Sequence, residues 1–181
     1  ERAPSGYAKG ALARWLEDQG FVKDAAYWYE QAVVQPPRPF HESCFNVTRV
    51  YLKLSDPEAA IAAGTSASTA GCERSPELMA PLALAYALAG RWDDAKEVSD
   101  SIDRDPTGKA NLAGLAARAH LGNLDALRRA IAQSGPKEGA RLRSQVMTVL
   151  THGGADTAAI SMAGLPGSQD LLPHENLQRH K

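Results

Sequence analysis

A turn that comes round about every 34 residues constrains this chain more than any other feature. Gln19-Gly20-Phe21 precedes Asp24-Ala25-Ala26, Tyr29, Ala32 and Pro36-Pro37. Ala89-Gly90-Arg91-Trp92 likewise precedes Asp94-Ala95, Ser99, Ile102 and Pro106. Weaker copies run through Leu54-Ser55-Asp56, Glu58-Ala59, Ala63 and Ser66, and through Leu121-Gly122-Asn123-Leu124, Leu127 and Ile131. With Gly20, Leu54, Gly90 and Gly122 taken as equivalents, the spacings are 34, 36 and 32 residues. Self-similarity at that period predicts stacked helical hairpins, and a scaffold that binds rather than a pocket that catalyses.

The local signals agree with an all-α chain. Leu12, Trp15 and Leu16 recur at helical spacing in a first helix over 7–19, which Gly20 ends as a C-cap. Its partner over 22–34 stops at Pro36-Pro37, because proline cannot continue a helix. A third helix over 40–54 carries Phe40, Val47, Val50 and Tyr51 on one stripe. Asp56-Pro57 reads as N-cap and first helical residue of a fourth, whose Gly64-Thr65-Ser66 half is a poor helix former expected to fray. Ser75-Pro76-Glu77 is the clearest start signal, with the serine expected to cap. It opens a hairpin of 76–89 and 93–101; 108–121 and 124–133 make another, and Gly135-Pro136 opens a covering helix over 137–150. The expected organisation is a loose lead-in at 1–6, a helical repeat domain at 7–151, and an extension at 152–181 with a short helix near 157–162.

A net charge of -1 lacks the basic stripe of a nucleic-acid binder. No apolar run approaches the roughly 18–20 residues of a membrane span. The chain opens on Glu1 rather than Met, so a removed upstream segment, with room for a signal peptide or membrane anchor, is expected. Of the two cysteines, Cys44 falls near the start of one helix of the second hairpin and Cys72 just past the end of the other. In an antiparallel hairpin those ends are neighbours, so a disulfide is expected; closing about 29 residues would contribute about 3–4 kcal/mol in the chain-entropy model. Two packed thiols are the alternative.

The repeat resembles the tetratricopeptide (TPR) family, in which a small residue, a tyrosine, a turn glycine, a small residue, an aromatic, a small residue and a proline recur. Ala13, Leu16, Gly20, Ala25, Tyr29, Ala32 and Pro37 match it, as do Ala83, Tyr86, Gly90, Ala95, Ser99, Ile102 and Pro106, with Ser99 departing from the aromatic. Val47, Val50, Leu54, Ala59, Ala63 and Ser66, and Leu115, Gly122, Leu127 and Ile131, match it less well. The resemblance implies an α-solenoid of about four hairpins with a C-terminal capping helix, and a concave groove lined by the first helix of each pair. Its lining would be Arg14, Glu17, Thr48, Tyr51, Leu84, Ala87, Ala116 and His120, with His41 and Lys109 at the rim. The positions that grip acidic chaperone tails in such proteins hold Gly10, Arg14, Cys44, Thr48, Ala80 and Leu84, so an apolar helix or extended peptide is the expected ligand. The segments 84–91 and 111–113 are similar to those of bacterial envelope TPR proteins, including pilus-assembly lipoproteins of the tight-adherence type.

No phosphate loop, nucleophile elbow or paired-histidine zinc helix occurs, and no cofactor is expected. His41-x-x-Cys44 lacks the second ligand pair of a zinc site. Asn46-Val47-Thr48 matches a glycosylation sequon by chance. Trp15, Trp28 and Trp92 are expected in the core, and Arg128, Arg129, Arg141 and Arg143 on a solvated face. The expected function is non-enzymatic: a scaffold for a protein or peptide partner. If the cysteines pair, it is an assembly or secretion accessory protein of a bacterial envelope, extracytoplasmic and periplasmic; if they do not, it is a cytoplasmic chaperone or regulator. An accessory domain of an enzyme is a third reading that no residue supports. A competing occupant of the groove is the tail, with Leu171, Leu172 and Leu177 as anchors.

Overall fold

The computed structural model describes residues 5–34, 39–102 and 111–157. Among the described residues there are eight α-helices and no strand: α1 (Gly6–Asp18), α2 (Val22–Val33), α3 (His41–Lys53), α4 (Pro57–Thr69), α5 (Pro76–Leu88), α6 (Trp92–Ile102), α7 (Leu112–His120) and α8 (Asp125–His152). Successive helices pair through short turns, and each pair packs on the next through α2–α3, α4–α5 and α6–α7, with α3–α5 and α5–α7 also in contact. α8 is two helices joined across Gly135, whose φ of 75° is non-helical. The expected break at Gly135-Pro136 is therefore present. The expected short helix near 157–162 lies outside the described residues but for its first position.

The turns correct the repeat. The left-handed residue that closes the first helix of each hairpin is Gly20, Ser55, Gly90 and Gly122. Ser55, not Leu54, holds this place in the second hairpin, with φ 57°, a conformation that costs a non-glycine residue about 1–2 kcal/mol. The spacings are 35 (55−20), 35 (90−55) and 32 (122−90) residues. The starts of α1, α3 and α5 at 6, 41 and 76 share the interval of 35, as do those of α2, α4 and α6 at 22, 57 and 92.

Placing the copies at this interval groups like with like. Ala25, Ala60 and Ala95 are equivalent and fully buried. So are Ala13, Thr48 and Ala83. The junctions between helices run through glycines that face buried hydroxyls. A β-carbon on Gly64 would lie 2.7 Å from Thr48 Oγ1 and 3.0 Å from Leu82 Cδ1. One on Gly114 would lie 2.7 Å from Ser99 Cβ, and one on Gly10 would meet the Phe40 ring and Ser43 Oγ. Helices approach this closely only where side chains are absent or small.

Three local expectations are revised. α4 does not fray: it continues to Thr69, and the Gly64 that weakens its propensity is the point where α3 and α5 close on it. Tertiary packing overrides propensity here. Ser75 holds the N-cap position of α5, yet its hydroxyl makes no capping bond and is buried without a partner among the described residues. Ser5, Asp56 and Asn111 do cap, accepting from the N–H groups of Ala8, Ala59 and Ala113. Arg143 is buried rather than part of a solvated basic face, while Arg128, Arg129 and Arg141 are exposed.

Candidate interaction surfaces

Cys44 and Cys72 are bonded, with α-carbons 5.8 Å apart. The bridge ties the start of α3 to the end of α4, the geometry that hairpin pairing requires.

The predicted groove lining divides into residues that can meet a ligand and residues that cannot. Thr48, Ala87 and Ala116 are fully buried and correct the expectation: they pack helices together. Thr48 faces Gly64, and the end of α8 closes over Ala87, since a β-carbon on Gly153 would strike the Ala87 carbonyl. The cause for Thr48 is the repeat interval. At 35 residues, Arg14 corresponds to Arg49 and Glu17 to Leu52, whereas Thr48 corresponds to buried Ala13. A slip of one residue turns a helix by about 100° and exchanges surface for core.

Arg14, Glu17 and the second hairpin form a charged junction. The Glu17 side chain is only 7% exposed and accepts from Arg49 Nη2 at 2.8 Å, from Lys53 Nζ, and from the Tyr29 hydroxyl at 3.1 Å. One carboxylate thus joins α1, α2 and α3. Burial by itself would raise its pKa, but the hydrogen bonds from Lys53 and Arg49, the Arg49 charge and the Tyr29 hydroxyl together hold it below the ordinary value. Burial and the Glu17 charge push the Tyr29 phenol upward. Arg14 is exposed and pairs with Glu42 at 3.0 Å. Tyr51 is half-buried and donates to Glu30 at 2.8 Å; burial, that hydrogen bond and the Glu30 charge push its pKa up to about 12. Sequence reasoning missed Arg49 and Lys53, although Asp56-Pro57 fixes the start of α4 and with it the register that finds them.

At the other end, His120 is half-buried and stacks on Trp92 with ring centroids 4.6 Å apart. Leu84 is half-buried against the second core cluster. His41 is exposed and packs edge-on against Phe45. Lys109, Leu171, Leu172 and Leu177 lie outside the described residues.

The largest departure from expectation is in the first hairpin. Among the described residues seven large apolar side chains are exposed, and six of them, Tyr7, Leu12, Trp15, Phe21, Tyr27 and Val34, fall within residues 7–34. Trp15 was expected in the core and is 57% exposed. Trp28 is half-buried against the core and Trp92 is buried. On α1 the exposed Ala8, Ala11, Leu12 and Trp15 share one face, opposite the inward Gly10, Ala13, Leu16 and Glu17, while Tyr7, though largely exposed, packs edge-on against Phe40 with ring centroids 5.5 Å apart. Six of seven exposed large apolar side chains within one hairpin are more than an even scatter over the described surface.

No described helix is long and apolar enough to cross a membrane, and no group of three or more metal-ligating side chains gathers among the described residues. In comparisons with known proteins, no family model, no curated protein and no solved structure matches the chain.

Proposed function

We propose that the chain is a TPR-like interaction scaffold that catalyses nothing itself and holds a protein partner on the outward face of its first hairpin. The observation that carries this reading is that six of the seven exposed large apolar side chains among the described residues, Tyr7, Leu12, Trp15, Phe21, Tyr27 and Val34, belong to that hairpin, Leu12 and Trp15 sharing a face of α1, while three residues of the expected groove are sealed in the core. Exposed tryptophan and tyrosine on a rigid helix supply large contact area at low entropic cost, which is the composition of binding hot spots. The buried Cys44–Cys72 bond supports work in an oxidising compartment, because reducing cytoplasm disfavours structural disulfides. With the similarity of segments 84–91 and 111–113 to bacterial envelope proteins, the reading becomes an assembly or secretion accessory protein of a bacterial periplasm.

Site-specific photocrosslinking in the native cells tests the site. A photoreactive residue at position 12 or 27 is expected to trap a protein, and one at Leu84 or His41 is not. Leu84 stays partly accessible and would serve a groove ligand, so crosslinks from 84 and 41 alone would move the site to the concave side. Crosslinks from none of the four would end the scaffold reading.

A further inference from the structure

α8 consists of two arms that meet at one residue. The first runs over 125–134 and the second over 136–152, and Gly135, with φ 75°, is the non-helical residue between them. The bend is sharp. A β-carbon on Gly139 would lie 2.8 Å from the Ile131 carbonyl oxygen, whereas a straight helix would hold the two residues about 12 Å apart along its axis. Pro136 keeps the bend, because it has no N–H for a continuous helix and disfavours the helical region at the residue before it. The space beside Gly135 itself is open.

The second arm ends in a seat made by the other helices. A β-carbon on Gly153 would strike the Ala87 carbonyl of α5 and lie 2.6 Å from the Trp92 ring of α6, and one on Gly90 would lie 3.0 Å from the Gly153 carbonyl oxygen. Trp92 in turn stacks on His120 of α7. Val146, Val149 and Leu150 of the arm are buried in the same core cluster as Ala87 and Trp92. Shape selects the occupant, since only a chain that brings glycine to this point can close on the Ala87 carbonyl. The arm of a second copy meets that condition by identity. In a pair that exchanges arms the contacts of the seat are kept and only the joint changes conformation, so a short, sharply bent joint invites exchange. We propose that the second arm of α8 exchanges between two copies of this chain, each arm filling the other copy's seat at Ala87 and Trp92, with Gly135-Pro136 as the hinge. This interface is independent of the partner face on the first hairpin.

Two preparations of the whole chain test it. Wild type refolded from urea at millimolar concentration is expected to sediment in part at twice the monomer mass, and that fraction is expected to outlast dilution, since the seat must reopen before the copies part. Refolded dilute, the wild type is expected to be monomeric. Gly135→Ala/Pro136→Ala leaves the seat untouched and lets α8 run straight, which carries the end of the second arm about 25 Å from the joint. This variant is expected to be mainly dimeric where the wild type is monomeric. A photoreactive residue in place of Arg91, next to Gly90, assigns the contact in dimers mixed from isotope-labelled and unlabelled chains. Crosslinks from one copy to residues 152–155 of the other are expected. Gly153→Leu is expected to remove the dimer from both preparations. A monomeric hinge variant overturns the proposal, whether hydrogen exchange finds its second arm docked or loose. So does concentrated refolding that yields no wild-type dimer. Dimers that crosslink residues 152–155 only within one copy, or that survive Gly153→Leu, overturn it as well, since the copies then meet elsewhere.

Discussion

At the scale of single residues, Glu17 and Gly64 do the most with the least. Glu17 satisfies two cations and a phenol from two other helices while its side chain is nearly buried. Its pKa lies below the ordinary value of 4.5, so the folded state holds fewer protons than the unfolded chain as pH falls. Its contribution to stability is complete above that value and is lost as pH drops through the lowered one. Acid unfolding of the wild type is therefore expected to steepen below about pH 4.5. Glu17→Gln should flatten that part of the curve and cost about 2 kcal/mol at neutral pH, the scale of hydrogen bonds to a charged group. Urea titrations from pH 3 to 7 check both. Gly64→Ala places a β-carbon 2.7 Å from Thr48 Oγ1, and neither α3 nor α5 can retreat alone. Despite the better helix propensity of alanine, a loss of about 1–3 kcal/mol is expected from overpacking. A rise in Tm on Gly64→Ala would show that the junction yields.

At the scale of elements, the second hairpin has the weakest turn and the strongest tie. Its turn uses Ser55 in a left-handed conformation where the other three use glycine. Against this, the Cys44–Cys72 bond joins residues 28 apart in sequence. Removing it as Cys44→Ala/Cys72→Ala should cost about 3–4 kcal/mol by chain entropy. Hydrogen exchange should accelerate first in α3 and α4, and only later in α7 and α8. Ser55→Gly in the same background is expected to recover about 1 kcal/mol, the relief of the left-handed backbone. No recovery would mean that the serine is unstrained there.

At the scale of the whole molecule, one register decides which apolar residues hold the fold and which are free to bind. Leu12 and Leu82 make the clearest pair. Leu82→Ala empties a site between α5 and Gly64 and is expected to cost about 2–5 kcal/mol. Leu12→Ala removes the same atoms from an open face and should cost under about 1 kcal/mol. Thermal melts of the two variants measure this directly. Equal losses would mean that Leu12 is already packed in solution, and would move the partner site away from α1.

Eight helices and their pairing were legible in the sequence because turn glycines, Asp56-Pro57, Ser75-Pro76 and Gly135-Pro136 act locally, through backbone conformation alone. The cysteine pair was legible for the same reason, since hairpin pairing brings helix ends together whatever surrounds them. The groove was not. Aligning Leu54 rather than Ser55 with the turn glycines shifted the second copy by one residue, which put Thr48 on the surface and hid Arg49 and Lys53. Trp15 was misplaced for a different reason. Its spacing with Leu12 is that of a core stripe, and periodicity reports that a face is apolar, not that a neighbour covers it. Coverage depends on which elements pack together, and only the tertiary arrangement, in which Val47, Leu82 and Gly114 are buried and Leu12 is not, decided it.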